Sequence, residues 1–328
     1  MQEAVFFLFN KPIMPYALVV ACATFLAVTL YFLLTRREEI SLSATQNMTL
    51  LSLVLGLACG HMLYVALQHV YEFPSRDFFQ RLLDPTSGGY MFYGVVGGIV
   101  LSAFLVGLTQ KRTKASTLLN ALAPSLMLFI ALCRFAEILD GQGMGLDAME
   151  EWTCFFPLAF WNAQWEVWQF AVFFYEGLYA LCIFAYSLTL MLKKRGKNLF
   201  VQVLILYATG QILFETLRRD VYVNWGFIRL SQLISLLILL GALLYATVHY
   251  FKRAKKQFIW SWIGSLLLTG AAIALEFTVD KPLIIGDLVY FYFPYWLTYS
   301  LIALCALSIG TIAWCGLKKG NVIHLNYV

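Results

Sequence analysis

The sequence predicts an all-α fold: a polytopic helical bundle in a membrane, with about nine transmembrane helices. Three observations predict it. Hydrophobic residues make up 61% of the 328 and charged residues only 12%, against about 25% charged in an ordinary soluble domain. Mean hydropathy is +0.75. Apolar stretches near the ~20 residues that cross a bilayer recur along the whole chain.

The expected spans are 16–34, 48–68, 90–108, 118–139, 167–192, 199–217, 228–248, 259–273 and 294–314. The first has an acidic flank, Gln2-Glu3, before it and Arg36-Arg37 behind it. No small-residue cleavage site follows, so it is expected to stay in the protein rather than act as a cleaved signal. The second carries Gly56 and Gly60, the third Gly94 and Gly98; small residues at this spacing let helix backbones approach closely. The fourth is broken by Cys133-Arg134-Phe135-Ala136-Glu137-Ile138-Leu139-Asp140-Gly141. The eighth is the shortest.

Charge sets the expected orientation. Arg36-Arg37, Lys111-Arg112 with Lys114, Lys193-Lys194-Arg195 with Lys197, Lys252-Arg253 with Lys255-Lys256, and Lys318-Lys319 follow the odd-numbered spans. They hold 15 of the 23 lysines and arginines, with only Glu38 and Glu39 as acids among them. The positive-inside rule places these segments in the cytoplasm, the N-terminus outside and the C-terminus inside. The net charge of +5 therefore speaks for topology and not for a nucleic-acid partner. Seven cysteines and four scattered histidines show no CxxC or Cys/His ligand spacing, so neither a disulfide framework nor a metal site is expected, and no cofactor is implied.

The two longest loops, 69–89 and 140–166, both fall on the outer face, and Trp161, Trp165 and Trp168 suit a membrane interface. No clear internal repeat is visible, which disfavours a transporter built from repeated halves.

Polar residues inside the spans carry the functional argument. A charged group in the bilayer costs roughly 2.5–3.5 kcal/mol on insertion scales and persists where it faces a cavity, a partner helix or an anion. Arg134 and Glu137 sit at i, i+3; Gln211, Glu215 and Arg218 at i, i+4, i+7 share one helix face. Tyr175-Glu176 opens the fifth span, and Tyr93 follows Gly88-Gly89 at the third. Each has a plain alternative. Arg134 and Glu137 form a structural pair or snorkel; Glu215 and Arg218 form a helix-surface pair; Glu176 is an interfacial carboxylate; Tyr93 is an ordinary membrane aromatic. Together, however, they approach one outer face from spans three to six. An arginine fork fits two phosphate oxygens, and a carboxylate or tyrosine accepts a proton from a nucleophile. Both belong in a transferase that uses a phospholipid donor.

The order of these pieces resembles the prolipoprotein diacylglyceryl transferase family, over about residues 15–243. Pro15-Tyr16-Ala17, ending in Thr35-Arg36-Arg37, resembles the family's start. Gly88-Gly89-Tyr90-Met91-Phe92-Tyr93-Gly94 is similar to its Gly-Gly-Met-Ser-Phe-His-Gly segment. Ala123-Pro124 and then Arg134 to Gln142 resemble its Gly-Arg-x-Gly-Asn-Phe-x-Asn-Gly-Glu signature. Tyr175-Glu176 matches a Tyr-Glu pair, Glu215-Thr216-Leu217-Arg218 resembles Glu-Phe-Phe-Arg, and 230–235 resembles Ser-x-Gly-Gln-x-x-Ser.

The resemblance implies transfer of a diacylglyceryl group from phosphatidylglycerol to the lipobox cysteine thiol in the signal peptide of a prolipoprotein. The expected setting is the outer leaflet of a bacterial cytoplasmic membrane. It implies that Arg134 holds the phosphate, that Glu215 and Arg218 shape the pocket, that Tyr16 and Tyr207 line it, and that Gly141 lets the backbone approach the lipid. Tyr93 is the third catalytic candidate, beside Arg134 and Glu215. Glu137, Gln142, Tyr175, Glu176 and Gln211 complete the lipid-binding set. The chain departs from the pattern at several of these: the family histidine is Tyr93, the signature asparagine Glu137, the signature glutamate Gln142, and an arginine four residues before Glu215 is Gln211. The His-Pro-Ser-Gln run before Tyr-Glu is Phe170-Ala171-Val172-Phe173. The expected organisation is a transferase-like seven-helix domain, 1–250, followed by two further helices and a cytoplasmic tail, 251–328. Two other functions remain open at this point: a non-catalytic relative that binds phospholipid or a lipoprotein precursor, and an anion transporter.

Overall fold

The computed structural model describes residues 6–8, 11–71, 78–84, 89–110, 113–163, 165–219, 224–225, 228–251, 254–279, 283–284, 290–291 and 294–325. Gly88, Lys111-Arg112 and Lys252-Arg253 lie outside the described residues. The helices are α1 (Pro15–Arg37), α2 (Leu42–Tyr71), the short α3 (Phe78–Leu83), α4 (Phe92–Thr109), α5 (Ala115–Ala136), α6 (Val172–Leu192), α7 (Leu199–Glu215), α8 (Leu230–Tyr250), α9 (Lys255–Val279) and α10 (Tyr295–Leu325). Among the described residues the strands form four antiparallel two-stranded pairs: β1 (Phe6–Leu8) with β2 (Lys11–Ile13), β3 (Ala159–Asn162) with β4 (Val167–Phe170), β5 (Asn224–Trp225) with β6 (Ile228–Arg229), and β7 (Leu283–Ile284) with β8 (Tyr290–Phe291).

Among the described residues, eight helices are long and apolar enough to cross a membrane: α1, α2, α4, α5, α6, α8, α9 and α10. The chain is a multi-pass membrane protein. The sixth expected span, 199–217, is α7, apolar but only 17 residues long. At ~1.5 Å per residue that is about 26 Å, a little short of the ~30 Å hydrocarbon core.

Several span boundaries move: the second and ninth spans lengthen to Leu42–Tyr71 and Tyr295–Leu325, and the fourth, fifth and eighth change as well. The fifth was expected from 167, but residues 167–170 are strand β4 and the helix begins at Val172. Short apolar runs read equally well as strand or helix, and here a cross-strand Trp161–Trp168 pair settles the hairpin. The fourth was expected to run to 139, but α5 stops at Ala136. Residues Glu137–Asp140 tighten into a 3-10 turn that closes on Gly141 at φ 69°, a left-handed position suited to glycine. The eighth, expected as the shortest, is a 25-residue helix.

The chain divides into two compact units. One comprises 3–133 and 184–200, and its closest packing is between α2 and α4. A Cβ at Gly94 would meet the Gly60 Cα at 2.8 Å, and one at Gly98 would meet the Gly56 Cα at 2.8 Å. The two small-residue pairs therefore face each other, backbone against backbone. The Arg37 guanidinium donates to the Leu192 carbonyl at 3.0 Å, closing the C-terminus of α6.

The other unit comprises 1–2, 134–183 and 201–328. Its core joins four helices: Ile205, Ala208 and Ile212 of α7, Leu239, Leu243 and Ala246 of α8, Phe258 of α9, and Ile302, Ile309 and Leu317 of α10. The Trp262 indole donates to Thr247 Oγ1 at 3.0 Å, tying α9 to α8. A tight approach of Gly310 to Thr209 sets α10 on α7.

Gly98→Ala should lower the unfolding temperature of the purified protein in detergent, with a cost of about 1–3 kcal/mol for overpacking a closed interface. Gly97→Ala, where a Cβ meets nothing within 4 Å, should leave it unchanged.

Candidate functional site

All the charged candidates fall at neighbouring helix ends of the second unit. Arg134 lies in the last turn of α5, and Glu137 opens the 3-10 turn that follows it. Glu176 lies near the start of α6. On α7, Tyr207, Gln211 and Glu215 are four residues apart and line one face. Arg218 follows after a two-residue turn.

These side chains form one network. Arg134 Nη1 pairs with Glu137 and lies 3.0 Å from Glu176 Oε2. Its Nη2 donates to the Tyr207 hydroxyl at 3.2 Å and to Gln211 Oε1 at 3.3 Å. Arg218 Nη1 reaches Glu176 Oε2 at 3.2 Å, and its Nη2 reaches Glu137 Oε2 at 3.5 Å. Gln211 turns its amide nitrogen to Glu176 Oε1 at 3.1 Å and to Glu215 Oε2 at 3.4 Å. Glu176 is only 2% exposed and faces both arginines and the glutamine. Two arginines against two carboxylates leave this four-membered ion-pair cluster neutral, which a buried position requires.

Glu215 differs from the other carboxylates. It is 7% exposed, and among the described residues its carboxylate accepts one hydrogen bond, the long one from Gln211. Its backbone carbonyl and that of Arg218 take the Arg229 guanidinium, the latter at 2.9 Å. Arg229 thus caps the C-terminus of α7, where a cation offsets orphan carbonyls and the helix dipole.

Backbone pairing holds the helix ends in register. The loop after α5 runs between β4 and the segment after α7. Gly145 N–H donates to the Phe170 carbonyl at 2.8 Å and Phe170 N–H to Leu146 at 3.0 Å; on the other side, Leu146 N–H donates to Leu217 at 2.9 Å and Arg219 N–H to Met144 at 3.1 Å. Below it, Gln169 (2% exposed) accepts from Asn162 at 2.8 Å and donates to Asp147 at 3.1 Å, and Asp147 also pairs with Arg219.

The network therefore joins Arg134, Glu137, Glu176, Tyr207, Gln211, Glu215 and Arg218. Tyr175 and Gln142 bond outside it. The Tyr175 hydroxyl donates to the Leu158 carbonyl, on the loop before β3. The Gln142 amide donates to Asp140 at 2.8 Å. A Cβ on Gly141 would meet nothing within 4 Å, and glycine there serves the left-handed backbone. Tyr16 on α1 and Tyr93 on α4 belong to the other unit.

Sequence reasoning missed Gly143 as part of the site. It sits at φ 73°, and a Cβ there would lie 2.6 Å from Glu137 Oε2 and 2.7 Å from Phe173 Cβ. The signal was present as a second glycine two residues after Gly141. Among the described residues, no group of three or more His, Cys, Asp or Glu side chains is arranged to hold a metal ion. The arrangement suits an anionic group with dispersed negative charge, which two guanidinium forks hold by paired hydrogen bonds.

Glu176→Ala should destabilise the protein by about 3–5 kcal/mol, because it leaves two buried arginines short of a carboxylate. Arg219→Ala, whose side chain is 49% exposed, should cost no more than about 1 kcal/mol. Unfolding of the purified variants in detergent separates the two.

Comparison with known proteins gives this geometry a family. The family model described as prolipoprotein diacylglyceryl transferase matches residues 3–248, from before α1 to the end of α8. The phosphatidylglycerol–prolipoprotein diacylglyceryl transferase of Trichormus variabilis is 26% identical over 230 residues, covering 67% of this chain and 80% of that protein. That of Ligilactobacillus salivarius is 24% identical over 242 residues, covering 72% and 87%. That of Clostridioides difficile is 23% identical over 267 residues, covering 78% and 98%. With three quarters of its length inside the family match and its buried arginine–glutamate network within that stretch, the chain belongs to the prolipoprotein diacylglyceryl transferase family.

Proposed function

We propose that this protein transfers a diacylglyceryl group from phosphatidylglycerol to the lipobox cysteine thiol in the signal peptide of a prolipoprotein, at the outer leaflet of a bacterial cytoplasmic membrane. The observation that carries the proposal is the pair of buried arginines, Arg134 and Arg218, facing common carboxylates at the ends of α5, α6 and α7, in a chain of this family. In the proposed topology the basic segments face the cytoplasm. The N-terminus and the Arg134 cluster then face outward, and the C-terminus inward.

The chemistry is a displacement at carbon. The cysteine sulfur forms a C–S bond to the terminal glyceryl carbon of the diacylglyceryl group, and the C–O bond to phosphate breaks. The leaving glycerol phosphate takes the electron pair. Arg134 holds the phosphate and stabilises the charge that builds on the departing oxygen. Arg218 holds the other side of the phosphate. Glu215, the carboxylate without an arginine partner among the described residues, accepts the thiol proton. That proton then passes to the leaving phosphate, so the step balances. Tyr207 shares the Arg134 guanidinium and orients it. Lipid and peptide both arrive within the bilayer, and no metal or soluble cofactor takes part.

A second reading is a non-catalytic relative that binds phospholipid or precursor. Gln142 and Gln211 favour it: the first cannot act as a base, and the second supplies no positive charge beside Arg134.

Complementation of a strain depleted of its own diacylglyceryl transferase separates the readings, with a gel shift of a lipoprotein precursor as readout. The expected result is rescue by this protein. Arg134→Ala should lower transfer by about 10²–10³-fold, the cost of one oxyanion-stabilising donor, and Glu215→Gln should abolish rescue. Absence of rescue at normal membrane abundance would turn the assignment to the binding relative.

A further inference from the structure

Both arginine forks are already occupied. Arg134 Nη1 faces Glu137 and Glu176, and its Nη2 faces Tyr207 and Gln211. Arg218 Nη1 faces Glu176 and its Nη2 faces Glu137. An incoming phosphodiester must therefore take the place of something. The two carboxylates that bridge the arginines differ in how they are held.

Glu176 sits on a regular helix, is 2% exposed, and has a third partner in Gln211. Glu137 sits on a 3-10 turn instead, with an 11% exposed side chain. The turn is followed by two left-handed glycines, Gly141 and Gly143, and the Gly143 Cα side leaves the space that Glu137 Oε2 occupies. Glu176 is the more deeply enclosed of the two carboxylates, and Glu137, at the end of α5, is the one nearer to open space.

Charge gives the same order. Counting Arg229 and Glu215, the site holds three arginines and three glutamates. A bound phosphodiester adds one negative charge to a neutral, water-poor site, which is costly unless a carboxylate leaves or takes a proton.

We infer that Glu137 is a displaceable counter-ion seated where the donor phosphate binds, between Arg134 and Arg218, and that it sets the affinity of the site for an anionic phospholipid. The inference rests on the phospholipid-donor reading above. Glu137 is then a specificity-determining residue and not a phosphate ligand: it raises the threshold for any anionic head group and keeps the arginines neutralised while the site is empty of lipid. Glu176 stays in place in both states.

The test is binding of phosphatidylglycerol to the full-length protein in nanodiscs of a zwitterionic phospholipid, titrated with phosphatidylglycerol and compared among the unmodified chain, Glu137→Gln, Glu176→Gln and Arg134→Ala/Glu137→Gln. Unfolding temperatures are recorded alongside. Glu137→Gln should bind about tenfold more tightly, the scale of one competing charge-assisted hydrogen bond, and the double variant should lose that gain. Glu176→Gln should lower the unfolding temperature more than Glu137→Gln does.

Phosphatidylglycerol binding by the unmodified chain, with equal or weaker binding by Glu137→Gln, would overturn the displaceable counter-ion and leave the donor reading intact. Binding of phosphatidylglycerol by none of the variants would overturn both. If Glu137→Gln unfolds, Glu137→Asp keeps the charge on a shorter arm; it should also bind more tightly, and weaker binding overturns the inference.

Discussion

The structure of the unit that carries the candidate site depends on keeping buried charge neutral. Arg134 and Arg218 are held away from bulk water in a membrane protein, and Glu137 and Glu176 each face both of them. Unpaired, any of the four would cost several kcal/mol. The helices that carry them are fixed by that requirement: α5 must end where Arg134 and Glu137 reach α6, and α7 must present Tyr207, Gln211 and Glu215 on one face. Gln211 is the joint of the system. It accepts from a guanidinium through its oxygen and donates to two carboxylates through its nitrogen, so a neutral side chain links Glu215 to the ionic cluster.

Local backbone choices serve this network. Ending α5 in a 3-10 turn swings Glu137 toward Arg218 instead of continuing along the helix surface, and the left-handed glycines then reverse the chain into the 143–148 segment. That segment pairs on one side with β4 and on the other with residues 217–219. Backbone hydrogen bonds are directional and short, and so they locate the ends of α5, α6 and α7 relative to one another more tightly than apolar side chains do. Arg229 closes the C-terminal end of α7 and keeps a third guanidinium beside the site without placing it in the ion-pair cluster.

The rest of that unit is apolar packing that gives the site a firm base. α7 is a little shorter than the hydrocarbon core, and Ile205, Ala208 and Ile212 lie in the core shared with α8, α9 and α10. The two helices beyond the family match, α9 and α10, thus contribute to the surroundings of the helix that carries Gln211 and Glu215. In the other unit, the tight α2–α4 contact rests on the absence of side chains at four glycines, with hydrogen bonds at its two ends, from the Met91 N–H to the Gly60 carbonyl at 3.0 Å and from the Gln110 amide to Ser43 Oγ at 3.1 Å.

Much of this was legible in the sequence. Hydropathy located the long helices because each must bury its own backbone hydrogen bonds in lipid, a local requirement. Fixed spacing put Tyr207, Gln211 and Glu215 on one face, because the α-helical period is local too. Paired glycines on α2 and α4 marked a close contact for the same reason. What the sequence did not hold was partnership. Arg134 and Glu137, three residues apart, looked self-sufficient as a pair, yet each also binds a group more than forty residues away: Glu176 from α6, and Arg218 from beyond α7. The fate of residues 167–170 was equally non-local, since an apolar tetrapeptide becomes a strand only when β3 is beside it. Gln142 and Tyr175 matched motif positions but bond to Asp140 and Leu158 instead. Periodicity and composition are written along the chain, and they determined which segments are helical and which faces are polar. Which carboxylate neutralises which arginine depends on how helix ends meet in space, and only the tertiary structure decided that.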